Sequence, residues 1–184
     1  MKATKLVSLA IPILLLVGCA VGDKESTPKT EQSNKSTRKT VISEKQYPYY
    51  ICEQLVEFQY RKDLLLVNSG KAMKDKEKEK DILKTANEMD KILDNMEYIK
   101  VPDKYKDIHK DIQVGVTDAR KATKFIKDAS KEGKPYMQEA VLKSTPHLSG
   151  VDGEHWNKAI YELGKENKDA YDKALNKLMK EHAE

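Results

Sequence analysis

Cysteine is nearly absent from this chain of 184 residues: Cys19 and Cys52 are the two. No set of cysteines has metal-ligand spacing, which excludes zinc fingers and ribbons. Histidine is scarce as well. His109, His147, His155 and His182 are the four, and none forms the helical His-Glu-x-x-His pattern of a zinc peptidase. The eight glycines build neither a phosphate-cradling loop nor a nucleophile elbow. No apolar/polar alternation is long enough to argue for a sheet. General acid–base chemistry needs positioned groups with tuned pKa values, and no distinctive constellation is present. The sequence therefore points away from an enzyme, and it assigns no cofactor and no metal.

A long hydrophobic run is missing too. The longest apolar stretch is Leu6 to Val17, interrupted by Ser8 and Pro12. As a helix it covers roughly 18 Å of a ~30 Å hydrocarbon core, too short for a permanent span. With Lys2 and Lys5 before it and no acid, it has the form of a secretory signal. The run ends Leu16-Val17-Gly18-Cys19, which resembles the lipobox of bacterial lipoproteins at all four positions. That resemblance implies signal-peptidase recognition through Leu16, Val17 and Gly18. It also implies a diacylglyceryl group on the Cys19 thiol and cleavage before Cys19. The implied location is the extracytoplasmic face of the cell membrane, with membrane lipid as the first partner. One acyl chain binds a membrane marginally, whereas two hold stably.

A dominant charge sign is the last absence. Removing Met1 to Gly18 takes two of the 34 basic residues and none of the 30 acidic ones, leaving 32 against 30. Such a balance excludes nucleic-acid binding by net charge. At 35% charged and 39% hydrophobic, the chain suits exposed helices with narrow apolar stripes.

Residues 19–45 form a polar tract rich in Lys, Ser, Thr, Glu and Gln. It buries too little apolar surface to offset its ordering entropy, so a disordered tether is expected. About 25 flexible residues have a root-mean-square reach of roughly 27 Å. Two Ser-x-x-Lys matches, Ser26 to Lys29 and Ser36 to Lys39, fall in this tract rather than at a helix start, and carry no catalytic weight.

Helical periodicity governs residues 46–184. Ile51, Leu55, Phe58, Leu65 and Leu66 mark a first stripe, with Pro48 in the opening turn and a stop at Asn68-Ser69-Gly70 or as late as Met73. Lys74 to Asp81 alternates in sign and suits a solvated turn. Ile82, Ala86, Met89, Leu93 and Met96 are spaced four, three, four, three, with Ile92 and Ile99 widening the stripe. A third helix starts at Pro102 and Asp103 and carries Tyr105, Ile108, Ile112, Val116, Ala119, Ala122 and Ile126, with Phe125 beside them. Gly115 lies inside it, where close approach by a neighbour offsets a cost of about 1 kcal/mol relative to Ala. Lys131 and Gly133 close it.

A shorter segment begins at Pro135 and breaks at Pro146; Ser149 to Gly153 reads as a turn with Asp152 as N-cap. A last helix runs from Trp156 to Leu178, with Asn167 either setting register or lying at the edge of the core. The expected fold is all-α: an up-and-down bundle of about four long helices plus a short one, after the tether. The stretch Val101 to Tyr105, with His109 after it, resembles small helical lipoproteins of Gram-positive bacteria, a group that carries no known active site.

Cys52 sits among Ile51, Leu55 and Val56 and reads as a small buried apolar residue rather than a reactive thiol. Asp103, Asp107 and Asp111 recur every four residues around His109. That face suits either a bound cation or solvent and pairing with Lys104, Lys106 and Lys110, and pairing is the preferred reading. These features point to a non-enzymatic interaction module of the cell envelope, with an envelope protein or the cell wall as partner. The alternative is an envelope lipoprotein that binds a small ligand or a metal.

Overall fold

The computed structural model describes residues 39–131 and 137–183, with side chains described except at 150 and 152–154. The fold is an all-α helical bundle. The first helix, α1 (Tyr47–Ala72), begins where the Ser43 carbonyl accepts from the Gln46 and Tyr47 N–H groups. Pro48 sits in its first turn, where a missing N–H leaves no bond unmade. Gly70 does not stop it; the helix runs on to Ala72.

A single 3-10 turn at Lys76–Lys78, capped by the Asp75 side chain on the Glu77 N–H, leads into α2 (Glu79–Glu97). Its stripe is buried as the spacing requires: Ile82, Ala86, Met89, Ile92, Leu93 and Met96 all face the core. Each of the isoleucine, leucine and methionine side chains, fully buried, contributes about 1.5–3 kcal/mol. The helix ends before Val101-Pro102, as the restriction on a residue preceding proline demands. Pro102 stands in extended geometry ahead of a 3-10 turn at Asp103–Tyr105, so α3 (Lys106–Lys131) starts four residues after the expected Pro102.

Three expectations meet a different structure. First, Ile99 does not extend the α2 stripe. It lies in β2 (Ile99–Lys100), which pairs in parallel with β1 (Thr40–Val41), and the Thr40 N–H donates to the Tyr98 carbonyl at 2.9 Å. The ordered body thus starts ahead of residue 46: Ile42, assigned by sequence to the tether, is buried in the core.

Second, Pro146 does not break its helix. The α4 helix (Met137–Gly150) passes through Pro146 and continues as a π-helical turn over Val151–Trp156 into α5 (Asn157–Glu166). Ser144 Oγ donates to the Val141 carbonyl at 2.7 Å and Thr145 Oγ1 to the same carbonyl at 3.1 Å, while the carbonyl that Pro146 leaves without an N–H partner is that of exposed Leu142. No turn capped at Asp152 intervenes, because the backbone there is π-helical.

Third, the last helix is two. Asn167 leaves helical geometry (φ −130°, ψ 64°), its amide donates to the Leu163 carbonyl, and α6 (Ala170–Glu181) starts afresh. Asn167 therefore neither sets register nor edges a continuous stripe; it ends one. The α6 helix runs back along α1, with Tyr49 donating to Asp169 at its start and Lys177 donating to Glu53 further on.

Two smaller departures concern exposure. Leu65 is buried, but Leu66 is 48% exposed, because neighbours on a helix point about 100° apart. Phe125 is half-exposed and stacks on His147. Pro135, Gly133 and the expected stop there lie outside the described residues.

Gly115 marks a close approach between α3 and Trp156. A Cβ placed there would lie 2.3 Å from Trp156 Nε1 and 2.8 Å from Cδ1. The indole fills that space, donates from Nε1 to the Ile112 carbonyl at 3.2 Å, and meets the Phe58 ring edge-on at 4.9 Å. The close neighbour that the sequence demands at Gly115 is thus one aromatic side chain, delivered by the π-helical turn.

Candidate functional site

The anchor residues Leu16, Val17, Gly18 and Cys19 lie outside the described residues. No described helix is long and apolar enough to cross a membrane. Within the bundle, three places combine chemistry with position.

The first is buried. His109 is only 8% exposed, although the sequence grouped it with a solvated acidic face. Its Nδ1 lies 2.9 Å from the Tyr47 hydroxyl and its Nε2 lies 2.9 Å from Gln113 Nε2. The Gln113 amide also donates to the Met96 carbonyl at 3.1 Å, so its nitrogen faces the imidazole as a donor. His109 Nε2 therefore accepts, and Nδ1 carries the proton and donates to Tyr47. Tyr47 in turn stacks on Tyr105 at 4.7 Å. Burial, followed by the charge of Lys39, lowers the His109 pKa from the usual 6.5 to about 4. The arrangement ties the start of α1 to α3 and to the end of α2. The sequence signal for it was available: His109 lies three residues before Ile112 and four after Tyr105, on the apolar stripe.

Two of the three aspartates grouped with His109 pair as the pairing reading has it, while Lys104, the third lysine of that reading, turns to Glu166 and Glu44. Asp103 pairs with Lys106 at 2.6 Å and Asp107 with Lys110 at 2.7 Å, and each lysine holds its partner's carboxyl below the usual range. Asp111 pairs instead with Lys158 of α5 at 2.6 Å. Exposed pairs of this kind contribute about 0–1 kcal/mol each. A denser ionic seam, which sequence reading missed, joins α2 to α3. Arg120 reaches Asp90, Asp94 and Glu97, while Asp90 also takes Lys127 and the Thr123 hydroxyl. Cys52 is buried as expected, and burial pushes its thiol up to about 12, which leaves it protonated and unreactive at neutral pH.

The second place is a surface groove of about 590 Å³ at the far end of α1, lined by Ala72, Met73, Lys74, Glu79, Gln138 and Leu142 among others. Met73 is 78% exposed and Leu142 71%, so two large apolar side chains flank the groove in water. Interspersed lysines and glutamate rim it. From Tyr47 to Ala72 the helix rises roughly 39 Å, which separates this groove from the end where the chain enters at β1. Periodicity gave no sign of it, because Met73 and Leu142 belong to no stripe.

The third is where α6 ends against α1. Glu57, Glu181 and His182 bring one ligating atom each to within 4.8 Å of the others. His182 Nε2 and Glu57 Oε2 are 3.6 Å apart, and Tyr60 stacks on the imidazole with ring centroids 4.3 Å apart.

No protein-family model, curated protein or solved structure matches the chain.

Proposed function

We propose that this chain is a lipid-anchored lipoprotein on the extracytoplasmic face of the cell membrane, acting as a non-enzymatic interaction module of the envelope. The anchor half of the proposal rests on Leu16-Val17-Gly18-Cys19, with diacylglyceryl-Cys19 holding membrane lipid and the following tract serving as a tether. The interaction half rests on one observation: a groove flanked by exposed Met73 and Leu142 lies at the end of α1 away from β1. Large apolar side chains grouped in water are characteristic of docking surfaces. An envelope protein presenting an apolar side chain within a mixed-charge rim fits such a groove.

Two measurements test the two halves separately. Cys19→Ser is expected to abolish metabolic labelling with a fatty acid and to move the protein from the membrane fraction to the soluble fraction. A variant that still fractionates with membranes defeats the anchor. For docking, the wild-type chain crosslinked in cells is expected to capture a reproducible envelope protein. Met73→Asp combined with Leu142→Asp should reduce that capture at least tenfold while leaving thermal stability close to wild type, since both side chains are already in water. Equal capture by the double variant would remove the groove from the proposal.

A further inference from the structure

We propose that Glu57, Glu181 and His182 form a divalent-cation site of the zinc class that fastens the end of α6 to α1. The donor set is mixed, two carboxylates and one imidazole, drawn from elements far apart in sequence. Oxygen and nitrogen donors of this kind suit Zn²⁺, with water completing a tetrahedral shell.

The geometry carries the assignment. His182 Nε2 and Glu57 Oε2 face each other at 3.6 Å, which is too long for a hydrogen bond. It fits two ligands of one ion. Donors at 2.0–2.2 Å from a tetrahedral metal lie roughly 3.3–3.6 Å from each other. Glu181 offers a third oxygen within 4.8 Å of both other atoms, a distance that a side-chain adjustment of about 1 Å would bring to tetrahedral spacing. Adjacent residues on a regular helix point about 100° apart and do not converge. His182 leaves helical geometry at φ −120° and ψ 15°, which turns its side chain to the same place as that of Glu181.

The surrounding groups orient the donors as supporting residues do in metal sites. Arg61 Nε donates to Glu57 Oε1 at 2.8 Å and Arg61 Nη2 lies 2.7 Å from the same oxygen, so the other oxygen is the one turned towards His182. Arg61 is itself held by Glu88 at 3.1 Å. Tyr60 stacks on the imidazole and sets its plane. Lys177, the nearby ammonium on α6, donates to Glu53 rather than to the cluster. Beside Glu57 and Glu181 lies a groove of about 200 Å³, also lined by Lys177 and its partner Glu53, which leaves room for a bound water.

The site does not depend on the groove at Met73 and Leu142, and its test is independent of partner capture. The full, untagged chain is stripped with chelator and titrated with zinc chloride by calorimetry. Saturable binding of one ion is expected. Thermal melting should rise by roughly 5–10 °C at a free zinc concentration 100-fold above Kd. Cobalt(II) should give the intense visible absorption of a four-coordinate ion. His182→Ala, just past the last turn of α6, should melt within about 2 °C of the metal-free wild type and lose both the zinc shift and the cobalt band; Glu57→Gln should lose them too. Glu181→Gln should weaken binding at least tenfold. Absence of saturable zinc binding overturns the proposal, as does binding that His182→Ala leaves unchanged.

Discussion

Gly115→Ala is expected to destabilise the bundle by about 2–3 kcal/mol, even though alanine is the better helix former. The new methyl carbon would start 2.3 Å from Trp156 Nε1, and the indole has no flexible end that can yield. Trp156 must retreat, losing its hydrogen bond to the Ile112 carbonyl and its edge-on contact with Phe58. For a domain of this size the melting temperature should fall by roughly 5–10 °C. Trp156 is the sole tryptophan, so its fluorescence reports the displacement directly as a red shift. The same substitution should change sign once the indole is gone. In a Trp156→Ala background, itself about 3–5 kcal/mol less stable, Gly115→Ala should add up to about 1 kcal/mol of stability. Gly70→Ala is the control. Nothing lies within 4 Å of a Cβ there, so it should be neutral or stabilise by up to about 1 kcal/mol. If Gly115→Ala destabilises equally with and without Trp156, the packing account of Gly115 is wrong.

The second large effect is a loss of stability on mild acidification. His109 has a pKa of about 4 in the folded chain against the usual 6.5. A lowered histidine pKa means that the unfolded chain binds the extra proton first. Stability is therefore complete above about pH 6.5, falls as the pH drops towards 4, and loses nothing further from this residue below that. The full difference is about 3 kcal/mol. Most of it appears between pH 6.5 and 4.5, and down to about pH 5.5 ordinary carboxylates are still largely ionised. The direction follows from the contacts: a proton added at Nε2 would face the Gln113 amide, which is itself a donor. Denaturant unfolding at pH 7 and pH 5 measures it. His109→Gln should be less stable at pH 7 but should flatten the dependence over that range. A variant retaining the full wild-type slope would transfer the effect to other groups.

The stripes of α2 and α3 were legible because each contains a long run of apolar positions at helical spacing, and nothing in tertiary packing opposed it. Ile82 to Met96 and Ile112 to Ile126 lie in the core as the spacing required. The C-terminal third was misread at three residues whose local preference tertiary context modified. Pro146 reads as a break, but it lies on an exposed face, and the carbonyl it leaves without an N–H partner belongs to exposed Leu142. Asp152 reads as a cap, although the chain stays helical there by widening into a π turn. Asn167 was carried along a stripe, yet its side chain competes for a helical carbonyl and ends the helix.

The candidate sites were less visible still. Glu57 and His182 meet only because Asn167 breaks the last helix and sends α6 back along α1. No spacing rule connects residues that far apart. His109 was misplaced because its aspartate neighbours in sequence suggested a solvated face, while its helical phase places it with Tyr105 and Ile112.

The short parallel ladder between β1 and β2 also determines how the protein meets mechanical load. Tension arriving along the chain from its N-terminal side reaches Thr40 first, and there it acts on a pairing of two residues rather than on a helix. That pairing, the buried Ile42 and the Ser43–Gln46 contacts would yield in turn before any pull reached Tyr47. Peeling residues 40–46 releases roughly 20 Å of extended chain. A pull that peeled this arm would therefore lengthen the chain ahead of Tyr47 before it loaded α1.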